Sequence, residues 1–211
     1  MVPAAELWQS IRREAEAVVR ADPALAQPLA KSILDHSDFA GALAFQIGQR
    51  LGATDDERAR FGRVASEAFA AAPELVEAAS LDLQGIVDHD PAVTALLPPL
   101  LNYKGFVALQ AWRVSNWLWQ RGRRDFALLM QSASSERLQV SIHPSASIGS
   151  SVTGGSGDED VLGIDGHGVL LFVMTDWIQV APRSSASGSR ENCWWRTLIA
   201  TVRPSRLCSA R

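Results

Sequence analysis

A broad apolar pattern after Lys104 constrains the fold more than any other part of the chain. Four apolar residues recur there at the i, i+4, i+7 and i+11 spacing of one helical face: Val107, Ala111, Val114 and Leu118. Three tryptophans widen that face: Trp112, Trp117 and Trp119. Such a surface needs partners on more than one side, so we interpret this long helix as mainly an assembly surface.

Helical patterns also fill the chain before that helix. An amphipathic opening helix is predicted from Pro3 to Arg20, because its apolar residues follow a helical period and proline suits a first turn. A third pattern runs from Ser37 or Asp38 to Leu51, where Gly52 is a suitable stop. Between these two, a second pattern after Asp22 places four apolar residues on one face: Leu25, Leu29, Ile33 and Leu34.

Further helices are predicted after Thr54. That threonine and the three acidic residues behind it form the pattern of an N-cap followed by acids that favour the positive end of a helix. Pro73 begins another short helix, and a separate one covers Ser80 to Asp88. It ends before Asp90, since a residue that precedes proline disfavours the helical region. Helical patterns continue past the long helix, so the sequence predicts an all-helical domain over residues 1–138.

Composition and charge exclude several classes of function. The formal net charge is −3 and the acidic and basic residues are interspersed, so the basic footprint of a nucleic-acid-binding protein is missing. The N-terminus carries charges within its apolar period, which argues against a signal peptide or a membrane span and makes the cytoplasm the expected location. Cys193 and Cys208 have neither CxxC spacing nor paired histidines, so no metal site is predicted.

The sequence changes character from Val140. Ile142, Ile148 and Val152 are separated by small residues, and the step from Ile142 to Ile148 is six residues long. Six-residue steps suit a left-handed parallel β-helix, whose coils must stack to bury their inward side chains. About two such hexapeptides are visible. We therefore predict an α+β chain in which residues 139–172 are the truncated start of a β-helix.

Three motifs together resemble the serine O-acetyltransferases. KGFVALQAWRVSNWLWQRGRR, beginning at Lys104, is similar to the KGFHALQAYRxxHWLWxxGR helix of that family. HDPAV at His89 is similar to its RDPAV, and IHPSASIGSSV at Ile142 to Val152 is similar to the start of its β-helix. The agreement ends after Val152. The resemblance implies an enzyme that transfers acetyl from acetyl-CoA to L-serine in cysteine biosynthesis, with acetyl-CoA as co-substrate and no cofactor.

Residues 173–211 keep no period and are predicted to be an aberrant, disordered tail. They are rich in serine and arginine, lack lysine and contain the adjacent pair Trp194-Trp195. Codons for GAKILG, a β-helix step typical of this family, give the sequence from Ala181 to Ala186 when they are read one nucleotide out of frame. We therefore hypothesise that a deletion after Val152 and a frameshift produced this part of the chain.

The resemblance implies one substrate contact. Asp90 matches the aspartate of RDPAV that contacts the substrate serine, whereas from its pattern alone it would be a cap or turn aspartate before proline. The general base of the family is a histidine, which suits proton removal from a hydroxyl near neutral pH. Its DHATG motif is absent from this sequence, as is the second histidine motif, DRHPK. Asp165-Gly166-His167 offers His167 as a local candidate for the catalytic base, against the alternative of a solvated loop histidine.

Other polar residues near these motifs receive structural interpretations. We expect His143 to help close the first β-helix coil. For His89, next to Asp90, a place in the same site is the alternative, and we interpret it as a solvated turn histidine. Val107 and Asn116 stand where the family commonly has histidines, and we expect these departures to affect packing or oligomer contacts. Gly154 to Gly157 is interpreted as a flexible linker. A basic cluster at a helix end is expected to stabilise the helix dipole: Arg121, Arg123 and Arg124.

Two functions remain open from the sequence. The first is a serine O-acetyltransferase of impaired activity, because the chain lacks the coils on which the family places acetyl-CoA. For that reading the resemblance implies a homo-oligomer, trimer or hexamer, formed through the helical domain, with docking to cysteine synthase lost because the tail is replaced. The alternative is a non-catalytic helical module that oligomerises through the Trp112 to Trp119 surface.

Overall fold

The computed structural model describes residues 4–146 and two short strands further along the chain. The α-helices of residues 4–146 are α1 (Ala4–Ala21), α2 (Ala26–Leu29), α3 (Phe39–Leu51), α4 (Asp55–Ala71), α5 (Glu74–His89), α6 (Leu97–Asn102), α7 (Lys104–Gln120) and α8 (Arg124–Leu138). The strands β1 (Gly163–Ile164) and β2 (Leu170–Leu171) pair antiparallel. The predicted all-helical domain is therefore confirmed over residues 4–138.

The first helix lies where the sequence predicts it, and its side chains bind the backbone of the segment between α2 and α3. It buries three of the predicted apolar positions: Leu7, Ile11 and Ala15. The indole N–H of Trp8 donates to the carbonyl of Ser37 at 3.1 Å. The guanidinium of Arg12 donates to the carbonyls of Leu34 and His36 at 3.1 and 2.9 Å. These bonds satisfy backbone carbonyls between Leu34 and Ser37 that have no partner within a helix. They also attach the segment that precedes α3 to α1.

The second predicted helix is three short turns. A 3-10 turn, Pro23–Leu25, precedes α2, and a π-helical turn, Ala30–Leu34, follows it. Leu29 and Ile33 are buried as predicted, but Leu25 is 39% exposed, so its predicted place on the buried face is wrong. The 3-10 turn winds more tightly than an α-helix, which rotates Leu25 away from the face that the later residues share.

Side-chain N-caps stand at the start of α3 and of α4, and the cap at Thr54 is the one that the sequence predicts. The carboxylate of Asp38 accepts the N–H of Gly41 at 2.8 Å. The Thr54 hydroxyl accepts the N–H of Glu57 at 3.3 Å, and the Glu57 carboxylate accepts the N–H of Thr54 at 3.2 Å. These reciprocal bonds form a capping box, which satisfies amides that have no partner within the helix. Asp38 and Thr54 therefore set the starting points of the two helices.

The backbones of α3 and α4 approach each other closely at Gly48. A Cβ atom added there would lie 2.5 Å from the carbonyl oxygen of Arg58. At Gly62, on the facing helix, the nearest atom to such a Cβ is the carbonyl oxygen of Ala44 at 3.5 Å. Glycine is thus required at position 48 by the contact between backbones, and it is not required at position 62.

The prediction of two helices between Pro73 and Asp90 is wrong, because α5 is continuous over Glu74–His89. Pro73 does precede its first turn. Ser80, where the second helix was expected to begin, lies inside α5 and donates its hydroxyl to the carbonyl of Glu77 at 2.7 Å. A serine that bonds back to the preceding turn can remain inside a helix, so its capping preference does not start a new one.

The central helix α7 is surrounded by the rest of the domain. All four residues of its predicted apolar face are buried: Val107, Ala111, Val114 and Leu118. Trp112 and Trp117 are each only 7% exposed. The interpretation of the tryptophan-rich helix as mainly an assembly surface is therefore corrected, because these two side chains are covered within the single chain.

Several predictions fall on residues outside those described. They concern the β-helix beyond Ala146, the glycine-rich linker, the deletion after Val152 and the tail at residues 173–211. These stay predictions. Among the described helices, none combines the length and apolarity that crossing a membrane requires.

Candidate functional site

Asp90 lies at the corner between α5 and α6, as the sequence predicts. Its backbone N–H donates to the carbonyl of Ile86 at 2.9 Å and so ends α5. One carboxylate oxygen, Oδ1, accepts the N–H of Ala92 at 2.9 Å, and the Asp90 carbonyl accepts the N–H of Val93 at 2.9 Å. The residue thus forms a turn of the kind expected of an aspartate before proline. The residue is partly buried, and among the described residues its second carboxylate oxygen, Oδ2, accepts no hydrogen bond.

Tyr103 is a neighbour of Asp90 that sequence reasoning missed. Burial raises the pKa of its phenol above the usual 10.0, and the negative charge of Asp90 raises it further. The phenol is therefore neutral near pH 7 and can donate a hydrogen bond. No sequence pattern predicts that a tyrosine between α6 and α7 lies near Asp90, because only the fold brings the two residues together.

The segment that contains Asp90 is held by carboxylates from other parts of the domain. Glu14 in α1 accepts the N–H groups of Leu96 and Leu97 at 3.2 and 2.8 Å. On the other side, Asp82 in α5 pairs with Arg113 in α7 inside the core. No sequence pattern indicates a role for Glu14 or Asp82, because both contacts join residues that are far apart in the chain.

The two histidines near the predicted motifs have structural contacts. His89 is the last residue of α5, and its Nδ1 lies 2.8 Å from the carbonyl oxygen of Gly85. The prediction of a turn histidine is therefore wrong for His89, although its side chain is exposed. The ring of His143 packs edge-on to Trp119 with centroids 5.1 Å apart, and its Nδ1 lies 2.7 Å from the Ser145 hydroxyl. These contacts support the structural role expected of His143.

Residues 140–146, here called the exit segment, are fastened to α7. The indole N–H of Trp112 donates to the carbonyl of His143 at 3.2 Å. The side-chain amide of Asn116 donates to the carbonyls of Pro144 and Ala146 at 2.7 and 3.2 Å. The expectation that Asn116 affects packing is confirmed by these bonds. Val107, the other departure from the family pattern, is buried in the core.

The basic cluster after α7 makes specific contacts. Arg121 lies over the ring of Trp117 at 4.2 Å, and Arg124 lies over the ring of Trp119 at 5.1 Å. Arg123 bonds both carboxylate oxygens of Glu67 at 2.9 Å. The expectation that all three arginines stabilise the dipole at the end of α7 is wrong for Arg124, because this residue is the first of α8. Cation–π and ion-pair contacts explain these arginines better than the helix dipole does.

His167, the candidate base, lies outside the described residues. No group of three or more metal-ligating side chains occurs within the described part of the chain. A cleft of about 570 Å³ is lined by Gln49, Arg50, Lys104, Glu136, Arg137 and Leu138. Asp90 is not among its lining residues, so this cleft is separate from the candidate substrate contact.

Comparison with known proteins assigns the helical domain. The family described as serine acetyltransferase, N-terminal, matches residues 7–111. The serine acetyltransferase of Salmonella typhimurium is 38% identical over 143 residues, which are 68% of this chain and 52% of that protein. The chain thus spans about half the length of this relative.

Solved structures give the same assignment. A serine acetyltransferase from Brucella abortus in complex with coenzyme A is 37% identical, with a TM-score of 0.64, over 66% of this chain and 56% of that one. A soybean serine acetyltransferase complexed with serine is 36% identical, with a TM-score of 0.64, over 67% of this chain and 58% of that one. The helical part of the chain therefore has the fold of the corresponding part of these serine acetyltransferases. Residues 7–111 belong to the serine acetyltransferase family.

Proposed function

We propose that this chain takes part in the transfer of acetyl from acetyl-CoA to L-serine, and that Asp90 contacts the serine. The observation that carries the proposal is the placement of Asp90 on a defined turn in a domain of the serine acetyltransferase family. One carboxylate oxygen of Asp90 shapes the turn, and the other is available to the ammonium group of an amino acid. The relatives that were crystallised with coenzyme A and with serine support both substrates.

The proposed reaction is a direct acyl transfer. The serine hydroxyl oxygen attacks the thioester carbonyl carbon, a C–O bond forms and the C–S bond breaks. The hydroxyl proton passes to a base and then to the departing thiolate, which leaves as free coenzyme A. No cofactor is needed besides the co-substrate. A cytoplasmic location is part of the same proposal.

We infer that turnover is impaired. The family's base motif, DHATG, is absent from the 211 residues, and the agreement with the family ends after Val152. Losing a general base typically costs two to four orders of magnitude in rate, about 10²–10⁴-fold. Residual turnover would then depend on His167 or on solvent as the proton acceptor.

An assay of thiol release tests the enzyme. Purified chain is mixed with acetyl-CoA, and free thiol is measured with and without L-serine. We expect slow serine-dependent release that disappears in Asp90→Ala and persists in Asp88→Ala, an exposed carboxylate two residues earlier at the end of α5. Release that is equal with and without serine would contradict the proposal.

A second candidate function is a non-catalytic module that assembles through its helices. Leu128 and Leu129 are adjacent on α8 and are 41% and 46% exposed, which gives the domain an apolar surface outside its core. Light scattering after size exclusion tests this candidate. An oligomer that is lost in the double variant Leu128→Gln/Leu129→Gln, but kept in Leu25→Gln, would support it. A monomeric chain would exclude it.

A further inference from the structure

We propose that Glu14 is a positioning residue for Asp90, acting from α1 through the first turn of α6. The proposal rests on the assignment of Asp90 as the serine contact. Glu14 itself lies on a different helix, far from Asp90 in sequence, and is not suggested to touch the substrate. Its role would be to hold the segment 90–96, here called the Asp90 loop, in one conformation.

The first observation is the pair of bonds that Glu14 makes. Its two carboxylate oxygens accept the N–H groups of Leu96 and Leu97 at 3.2 and 2.8 Å. Leu96 is the N-cap of α6 and its side chain makes no capping bond. The orphan amides of that helix are therefore satisfied by a carboxylate supplied from α1. A negative charge at a helix N-terminus is also favoured by the helix dipole.

The second observation concerns the other end of the Asp90 loop. The loop begins where α5 ends, and α5 is fixed to α7 by the buried pair of Asp82 and Arg113. Gln110 adds a bond from its side-chain amide to Asp82 at 2.9 Å. Glu14 therefore holds one end of the loop and the Asp82 network holds the other. A short segment held at both ends has few conformations open to it.

The third observation links loop geometry to the carboxylate of Asp90. Its Oδ1 accepts the N–H of Ala92, and its carbonyl accepts the N–H of Val93, both at 2.9 Å. The plane of the carboxylate is therefore set by the backbone of the loop. Any shift of the loop moves the second oxygen, which is the one we assign to serine. Glu14 thus acts on the substrate contact through backbone positions alone.

Amide hydrogen exchange of the Asp90 loop tests this directly. Glu14→Gln keeps the size of the side chain but loses the charge and one acceptor, and Glu16→Gln is a matched exposed control on the same helix. We expect exchange of the Ala92 and Val93 amides to become about fivefold faster in Glu14→Gln, because a lost bond of this kind changes a local opening equilibrium by roughly that factor. Glu16→Gln should leave both rates unchanged. If only Leu96 and Leu97 respond, Glu14 merely caps α6 and the proposal is overturned.

Substrate dependence gives a second readout that a purely structural role would not move. In Glu14→Gln the KM for serine should rise about threefold to tenfold while the KM for acetyl-CoA stays constant. Equal changes in both constants would overturn the proposal. If the unaltered chain neither binds nor acetylates serine, the proposed function fails, and the exchange of Ala92 and Val93 alone decides the role of Glu14. Should Glu14→Gln fail to fold, Glu14→Asp keeps the charge on a shorter side chain and should show the same acceleration.

Discussion

Asp82 and Arg113, which are 31 residues apart in the chain, form an ion pair buried between α5 and α7. Gln110 bonds both partners, donating to Asp82 at 2.9 Å and accepting from Arg113 at 2.6 Å. Burial raises the pKa of Asp82, and the bonds from Arg113 and Gln110 oppose that shift. Only a complete network makes such a charge tolerable in a core, because an unpaired buried ion is costly.

Removing one partner of this pair should destabilise the domain strongly. Asp82→Ala leaves the Arg113 guanidinium buried without its carboxylate, so we expect the free energy of unfolding to fall by about 3–5 kcal/mol. Urea denaturation followed by circular dichroism measures it. Asp88→Ala, on the same helix but exposed, should change the free energy by less than about 0.5 kcal/mol. A similar small change in Asp82→Ala would show that the pair contributes little.

Two glycines at the contact between α3 and α4 should respond in opposite ways to alanine. Gly48→Ala places a methyl group 2.5 Å from the Arg58 carbonyl oxygen and should cost about 1–3 kcal/mol. Gly62→Ala has its nearest contact at 3.5 Å and should be neutral or stabilise by up to about 1 kcal/mol through helix propensity. Thermal unfolding of both variants compares them. Equal changes in stability for the two variants would mean that α3 and α4 can move apart to accommodate the methyl group at position 48.

The exit segment should detach when Asn116 is shortened. Asn116→Ala removes the bonds to the carbonyls of Pro144 and Ala146, at a cost of about 1–2 kcal/mol. Limited proteolysis should then cut within residues 140–146 faster than in the unaltered chain. Asn102→Ala, an exposed position at the end of α6, is the control and should leave the cleavage rate unchanged. Unchanged cleavage in Asn116→Ala would contradict the assigned role.

The capping box of α4 predicts a pH dependence of stability. The amides of Ala53 and Thr54 donate to Glu57 and lower its pKa from the usual 4.5. The unfolded chain then binds more protons than the folded chain in this range, so the contribution is present above pH 4.5 and is lost as the pH falls through the lowered pKa. Melting temperatures of the unaltered chain and Glu57→Gln should therefore converge as the pH falls from about 6 to about 3. A difference that is constant with pH would contradict this assignment.

Charge and shape at Asp90 can be separated by one substitution. Asp90→Asn keeps an oxygen that can accept the N–H of Ala92, so the turn and the melting temperature should be unchanged. The loss of the negative charge should nevertheless weaken serine binding, by about tenfold or more if the ammonium group is its partner. Calorimetric titration with L-serine measures the affinity. Equal affinity in the two proteins would mean that Asp90 does not contact the amine.

The helices were predictable where a local signal begins or ends them. Asp38 and Thr54 mark the starts of α3 and α4 because a side-chain oxygen satisfies amides only a few residues away. The apolar face of α7 was predicted correctly because burial imposes the helical period on the residue types. Ser80 misled the prediction, since the same hydroxyl that caps helices can bond back within one.

The surroundings of the candidate site were predictable only in part. The position of Asp90 at a corner between helices could be predicted, because Pro91 follows it in the sequence. The contact of Glu14 with Leu96 and Leu97 joins residues more than 80 positions apart. No spacing rule connects such residues, because their meeting depends on how α1 and α6 pack.

The sequence by itself determined the family, the helical domain and the position of Asp90 within it, because motifs, caps and apolar periods are local properties of a chain. Tertiary structure decided which surfaces are covered. From the sequence, Trp112 and Trp117 were interpreted as part of an assembly surface, yet the folded chain buries both. Asn116 attaches the exit segment to the same helix. Tertiary structure also paired Asp82 with Arg113 and brought Glu14 to the start of α6. Burial and long-range hydrogen bonds arise only when helices pack, and therefore no local pattern encodes them.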